Sequence, residues 1–178
     1  ALENTNLDYY NQIDKNNIPY VMINASYDKE KQSYVTLDDE KGGYMSCKHL
    51  LELGHNRIAG LFKEDDIQGI ERKKGYLRAL EENNIQVDNT IIGRYKTFEE
   101  DFYIEGFTKS LLKRNDKPTA IFCYNDKVAM KVIKIAKELG IKIPVDLSIV
   151  GYDNDETISN ALEGGITTIS HTKEKLGE

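Results

Sequence analysis

The sequence predicts an α/β fold made of lobes that each hold an open, parallel, doubly wound sheet. Short apolar runs alternate along the chain with stretches of helical pattern. Several runs are continuous rather than alternating, as in Ala120-Ile121-Phe122-Cys123 and Ser148-Ile149-Val150. Continuous apolar runs mark strands covered on both faces. Strands that alternate with helices build one sheet through right-handed crossovers.

In chain order, a helix is expected over 6–16, followed by strands over 18–23 and 34–37. A helix over 40–53 comes next, ended by Gly54, because glycine accepts the left-handed conformation that closes a helix. Then come a strand at 57–62, a helix at 67–83, a strand at 90–95 and a helix at 99–114. A strand at 119–124 precedes a helix at 126–139, stopped by Gly140. The rest reads as a strand at 147–152, a short helix at 155–162 and a strand at 166–169. Pro19, Pro118 and Pro144 stand at or shortly before the starts of strands, where a missing N–H matters least.

Composition narrows the function. With 39% hydrophobic and 30% charged residues, the chain fits a globular protein rather than a disordered one. No apolar stretch approaches the roughly 18 residues that span a bilayer. The start, Ala1-Leu2-Glu3-Asn4, lacks the basic and apolar segments of a secretory signal. A net charge of -6 argues against direct binding of DNA phosphates or of an anionic membrane. Cys47 and Cys123 are far apart and match no ligand spacing, so they read as free thiols in a reducing, cytoplasmic setting. His49, His55 and His171 are scattered without metal-binding spacing, and neither a metal nor a cofactor is expected.

Ligands of open parallel sheets sit beyond the carboxyl ends of the strands. Here those ends carry Asn24, then Lys63 with Gln68 and Arg72 in the next helix, then Tyr95, Asn125-Asp126 and Asp153-Asn154. The set lacks a Ser/His or Cys/His pair, and Gly42-Gly43 and Gly164-Gly165 match no phosphate-binding loop. No enzyme is expected, although Asp126 and Asp153 could be imagined as an acid–base pair. Amides, carboxylates and a forked arginine suit a polyhydroxylated ligand, since each engages neighbouring hydroxyls. An aromatic face adds packing against the C–H face of a sugar ring.

Each residue also has a plainer reading. Asn125 and Asp153 are natural helix caps. Arg72 reads equally as a solvated helix residue, Tyr95 as core or edge packing, and His171 as structural. Cys123 reads as core. Lys63-Glu64-Asp65-Asp66 reads as a solvated loop.

Further residues carry a family resemblance. The run Leu50-Leu51-Glu52-Leu53-Gly54-His55-Asn56-Arg57-Ile58-Ala59 resembles the LxxLGHxxIA signature of LacI/GalR-family effector domains. So do Arg72-Lys73-Lys74-Gly75-Tyr76, Pro118-Thr119-Ala120-Ile121-Phe122, and Asn125-Asp126 followed by Ala129. Pro144-Val145-Asp146-Leu147-Ser148-Ile149-Val150-Gly151-Tyr152-Asp153 is similar to the family's PxDxSxxGYD pattern, and Thr167-Thr168-Ile169 to its TTI segment. Within the family, Met22-Ile23-Asn24-Ala25, the IAGLFK run at 58–63 and Cys123-Tyr124-Asn125-Asp126 resemble arabinose-responsive repressors.

The resemblance implies a periplasmic binding protein-like type I fold, with ligand between two hinged lobes. It implies a sugar effector such as L-arabinose, a homodimer, and DNA binding only through a headpiece absent from this chain. An extracytoplasmic sugar-binding transport protein is the alternative with the same fold. By position, Arg72 matches the family's effector-gripping arginine, and Asn125 and Asp153 match its strand-end amide and carboxylate. Tyr95 matches an aromatic that packs on ligand. Asn24 stands where relatives often carry Asp, and Gln68 and His171 are further expected contacts. Changing Arg72 or Asp153 to Ala is expected to abolish binding without unfolding the domain. The expected divisions are a partial N-terminal lobe at 1–37, a C-terminal lobe at 38–165, and the start of a return crossover at 166–178. The incomplete first lobe is expected to associate or exchange strands, and to weaken sugar affinity.

Overall fold

A computed structural model describes residues 7–24, 33–162 and 164–171, with side chains described from Tyr10 onward. The chain divides into two compact units, Ala1–Asp38 with Thr172–Glu178, and Asp39–His171.

In the smaller unit, helix α1 (Leu7–Lys15) precedes strands β1 (Met22–Ile23) and β2 (Tyr34–Val35). The strands pair in parallel, Met22 opposite Tyr34 and Ile23 opposite Val35. Tyr10 on α1 packs on Tyr20, with ring centroids 6.0 Å apart. Val21, Ile23, Tyr34 and Val35 are exposed.

The larger unit runs α2 (Asp39–Glu52), β3 (Ile58–Lys63), α3 (Ile67–Glu82), β4 (Ile92–Tyr95), α4 (Glu100–Leu112), β5 (Ala120–Cys123), α5 (Asp126–Glu138), β6 (Ser148–Tyr152), α6 (Glu156–Ala161) and β7 (Thr167–Ile169). Its five strands form one parallel sheet in the order β4-β3-β5-β6-β7. The expected mixed α/β architecture with a parallel sheet is therefore observed. Gly54 and Gly140 have φ of +90° and +74° just past α2 and α5, as their reading as helix stops requires.

The continuous apolar runs have a simple cause. Ala59, Leu61, Ile121, Cys123 and Ile149 face a core closed by Ile104, Leu111 and Leu112 of α4 and by Val128, Val132 and Ala136 of α5. Ile58, Phe62, Ala120, Phe122, Val150 and Tyr152 face the other core, closed by Cys47 and Leu50 of α2 and by Tyr76, Ala79 and Leu80 of α3. Successive strand residues point to opposite faces, so a run apolar at every position serves both cores. The reading of Cys123 as core holds, since it is fully buried.

Two expectations are corrected. The expected strand at 90–95 opens as a single helical turn, Asn89–Ile91, because the Asp88 side chain accepts the Thr90 N–H and turns the chain there. The second unit also extends beyond 165: β7 pairs in parallel with β6, Gly151 opposite Thr168, and so belongs to its sheet. The division falls after His171. The remainder of the expected return crossover, 172–178, lies outside the described residues.

Candidate functional site

The order β4-β3-β5-β6-β7 places the first and third strands of the sheet side by side. The helices that follow them leave on opposite faces, which opens a crevice at their carboxyl ends. Lys63 and Asp66 stand at the end of β3, Tyr124 to Asp126 at the end of β5, and Asp153 beyond β6.

Arg72 on α3 is the centre of this end. It is 4% exposed, which corrects its reading as a solvated helix residue. A guanidinium taken out of water needs counter-charge and acceptors, and Arg72 has both. Nε donates to Asp39 Oδ1 at 2.8 Å, one terminal nitrogen to the Tyr124 carbonyl oxygen at 2.7 Å, and the other to Asp153 Oδ1 at 3.2 Å. The guanidinium carbon lies 3.6 Å from the centroid of the Tyr152 ring and 4.9 Å from that of Tyr124, within cation–π range. Burial works against the arginine's charge, but Asp153 and Asp39 outweigh it and hold the group more firmly protonated than usual. Burial raises the Asp39 carboxyl above its ordinary range, against the opposing pull of Arg72.

A second polar set adjoins it. The Tyr124 hydroxyl donates to Asp66 Oδ2 at 2.6 Å. Asp66 caps α3, its Oδ1 accepting the Gly69 N–H at 2.7 Å, and Lys63 Nζ lies 3.5 Å from the same Oδ2 that Tyr124 holds. Lys63 and Asp66 are each only 8% exposed, and Asp65 accepts from the Thr97 backbone at 2.9 Å. The run 63–66 is thus no solvated loop, because all its charges except Glu64 find partners. Asp126 is buried and accepts the Asp155 N–H at 2.8 Å, and burial raises its carboxyl.

Asp153 is the outward member of the set, with its side chain 38% exposed. It is not a helix cap; Asp155 caps α6 instead. Asp153 has φ of +96°, a conformation that costs a non-glycine residue energy and persists only where surroundings impose it. Its N–H donates to the Ile169 carbonyl at 3.0 Å and its carboxylate is gripped by Arg72.

A periplasmic binding protein-like domain model matches residues 47–178, well over half of the chain. The chain belongs to that family. An arabinose metabolism transcriptional repressor of Halalkalibacterium halodurans is 42% identical over 178 residues, covering 99% of this chain and 47% of the relative. The chain spans about half the length of the curated relatives it matches. The crystal structure of a LacI-family regulatory protein from Chloroflexus aggregans superposes with TM-score 0.87 at 28% identity, over 98% of this chain and 62% of that one. A LacI-family regulator from Enterococcus faecium with bound ribose gives TM-score 0.80 at 27% identity, over 97% of this chain and 63% of that one. The resemblance read from the motifs agrees with these relatives.

Among the expected contact residues of this periplasmic binding protein-like domain, Arg72 and Asp153 touch each other and Gln68 lies half-buried one turn before Arg72. Asn125 caps α5, its side chain accepting the Val128 N–H at 3.0 Å, so its amide nitrogen is the part left for a ligand. Tyr95 departs from its expected place on the ligand surface. It is fully buried against Tyr103, with ring centroids 6.1 Å apart, because its side of β4 faces the α4–α5 core. His171 follows β7 and its ring lies 6.4 Å from that of Tyr152. Asn24 ends β1 in the smaller unit with φ of +59°, its N–H donating to the Val35 carbonyl at 2.8 Å.

Sequence reading placed Lys63 at this end but missed Asp39, Asp66, Tyr124 and Tyr152 as members of it. The available signal was an aspartate opening a helix just ahead of Gly42-Gly43. It also missed a Ser/His pair: His55 lies within 3.0 Å of Ser148 Oγ and 2.9 Å of Thr119 Oγ1. That pair stands at the amino ends of β5 and β6, away from the crevice.

Proposed function

We propose that this chain is the effector-binding part of a sugar-responsive transcriptional repressor, with a neutral monosaccharide such as L-arabinose as effector. Supporting this is one arrangement above others: a buried arginine, held by acceptors on three sides, aimed through an exposed carboxylate at the carboxyl ends of a parallel sheet. Arg72 and Asp153 contact ring hydroxyls, with Gln68, the Asn125 amide and His171 adding further polar contacts. Tyr95 is left out as a direct contact, and its neighbour Tyr124 supplies the aromatic surface near Arg72.

Effector acts by binding one arrangement of the intact protein better than another. The intact protein is a cytoplasmic homodimer that meets DNA through a headpiece outside this chain and catalyses no reaction. The names of the curated relatives and the ribose in a LacI-family neighbour support this reading. Among the described residues no helix is long and apolar enough to cross a membrane.

The test is calorimetry of the intact protein against pentoses and hexoses, followed by operator binding with and without the sugar that binds. Saturable binding of a pentose, lost in Arg72→Lys, is expected. Absence of binding to every sugar, or sugar binding with no change in DNA affinity, would refute the proposal.

A further inference from the structure

The Gly42-Gly43 pair serves no phosphate loop, yet it shapes the site. A Cβ at Gly42 would lie 2.0 Å from the Tyr152 hydroxyl, and one at Gly43 would lie 2.1 Å from the Arg72 carbonyl oxygen. Only glycine lets the first turns of α2 lie against Tyr152 and the α3 backbone this closely. The close approach delivers Asp39, the first residue of α2, to the Nε edge of the Arg72 guanidinium.

Asp39 is 7% exposed. Its Oδ1 takes the Arg72 Nε–H, and the Tyr152 hydroxyl also hydrogen-bonds to it. It is buried with the arginine, whereas Asp153, 38% exposed, faces outward. A guanidinium has five N–H donors in one rigid plane. Fixing Nε on one side and a terminal nitrogen on the Tyr124 carbonyl fixes the direction of all the others. Asp153 alone already balances the arginine, so with Asp39 the two carboxylates outnumber its single positive charge and the group does not draw an anion.

We propose that Asp39 is a positioning residue of the effector site: acting through Arg72, it aims the donors offered to a sugar and, with Asp153, outweighs the arginine's charge, so that the site prefers a neutral polyol to its acid. This rests on the reading of Arg72 as a sugar contact. Asp39 touches no ligand itself.

The test uses the intact protein with L-arabinose and its anionic aldonic acid, L-arabinonate, titrated calorimetrically into wild type, Asp39→Ala and Asp39→Asn. The Arg72 Nε–Hε resonance is followed by NMR without ligand. Asp39→Ala should weaken arabinose binding about 10- to 100-fold, as expected for loss of a charged hydrogen bond, and should move the Arg72 signal to the position of a free arginine. Asp39→Asn keeps an acceptor for Nε but loses the charge. It should retain the shifted Arg72 signal and lower the arabinose-to-arabinonate preference by about fivefold or more. A purely structural role would lower the melting temperature while leaving both the preference and the Arg72 signal unchanged, which overturns the proposal. If Asp39→Ala does not fold, the preference ratio in Asp39→Asn decides. If wild type binds neither compound while the Arg72 signal still depends on Asp39, the sugar reading fails and the Asp39–Arg72 coupling stands.

Discussion

At the amino ends of β5 and β6, the His55 ring joins Thr119 to Ser148, and Arg57 bridges Asp88 and Asp116 at 2.9 Å each. At the carboxyl ends of the same strands, Arg72 joins Asp39, Tyr124 and Asp153. Both ends use an arginine between two aspartates, yet burial separates them. The Arg57 side chain is 30% exposed, and its partners Asp88 and Asp116 are 29% and 61% exposed, so solvent reaches and partly screens both pairs. The Arg72 side chain is 4% exposed, and the charge enclosed there is balanced only by buried Asp39 and half-open Asp153. A polar cluster closed on itself ties strands together. One enclosed on three sides and open on the fourth fits the ligand site proposed above.

The comparison breaks most clearly at Arg72. Arg72→Ala should abolish sugar binding and also destabilise the fold by about 3–5 kcal/mol, since it strands a buried carboxylate. Calorimetry and urea unfolding check both. Burial therefore revises the expectation that this change would spare stability. Next is Asp153→Gly. It relieves the backbone at φ +96° while removing an outward carboxylate. Affinity should fall at least about tenfold, while the melting temperature holds or rises.

His55→Ala should cost about 1 kcal/mol of stability and leave sugar affinity unchanged. Burial lowers the His55 pKa, so the folded state disfavours its protonation. Its contribution is fully present above the ordinary histidine range and fades as pH falls through the lowered value. Unfolding curves of wild type and His55→Gln should therefore converge as pH falls below about 6.5. The smallest effect belongs to Asp116→Asn. Arg114, which hydrogen-bonds to Asp116, holds its carboxyl down at about 2. Its pairing persists at neutral pH and disappears only as pH falls toward that value. Melting at neutral pH in high salt should barely distinguish this variant from wild type.

Local rules carried most of the fold. Apolar runs located the strands because both sheet faces are covered, and Gly54 and Gly140 located two helix ends because only a residue tolerant of positive φ closes them so readily. Asp153 and Arg72 were legible as strand-end and helix polar groups. Asp39 was not, because its contact with Arg72 crosses 33 residues and depends on α2 lying close to α3. Tyr95 was legible both as core packing and as a ligand contact, and its burial follows from the side it takes at the end of a short edge strand, here paired with Lys63. The charges at 63–66 looked solvated because their partners, Tyr124 and Thr97, lie in other loops.

The central claim is that one end of the sheet receives a ligand and the other only holds strands together. Backbone and side-chain NMR of the intact protein, titrated with L-arabinose, tests it directly. The account predicts shifts at Gln68, Arg72, Tyr124, Asn125 and Asp153, with His55, Arg57 and Ser148 unmoved. Saturable binding whose shifts cluster at His55, Thr119 and Ser148 would contradict it.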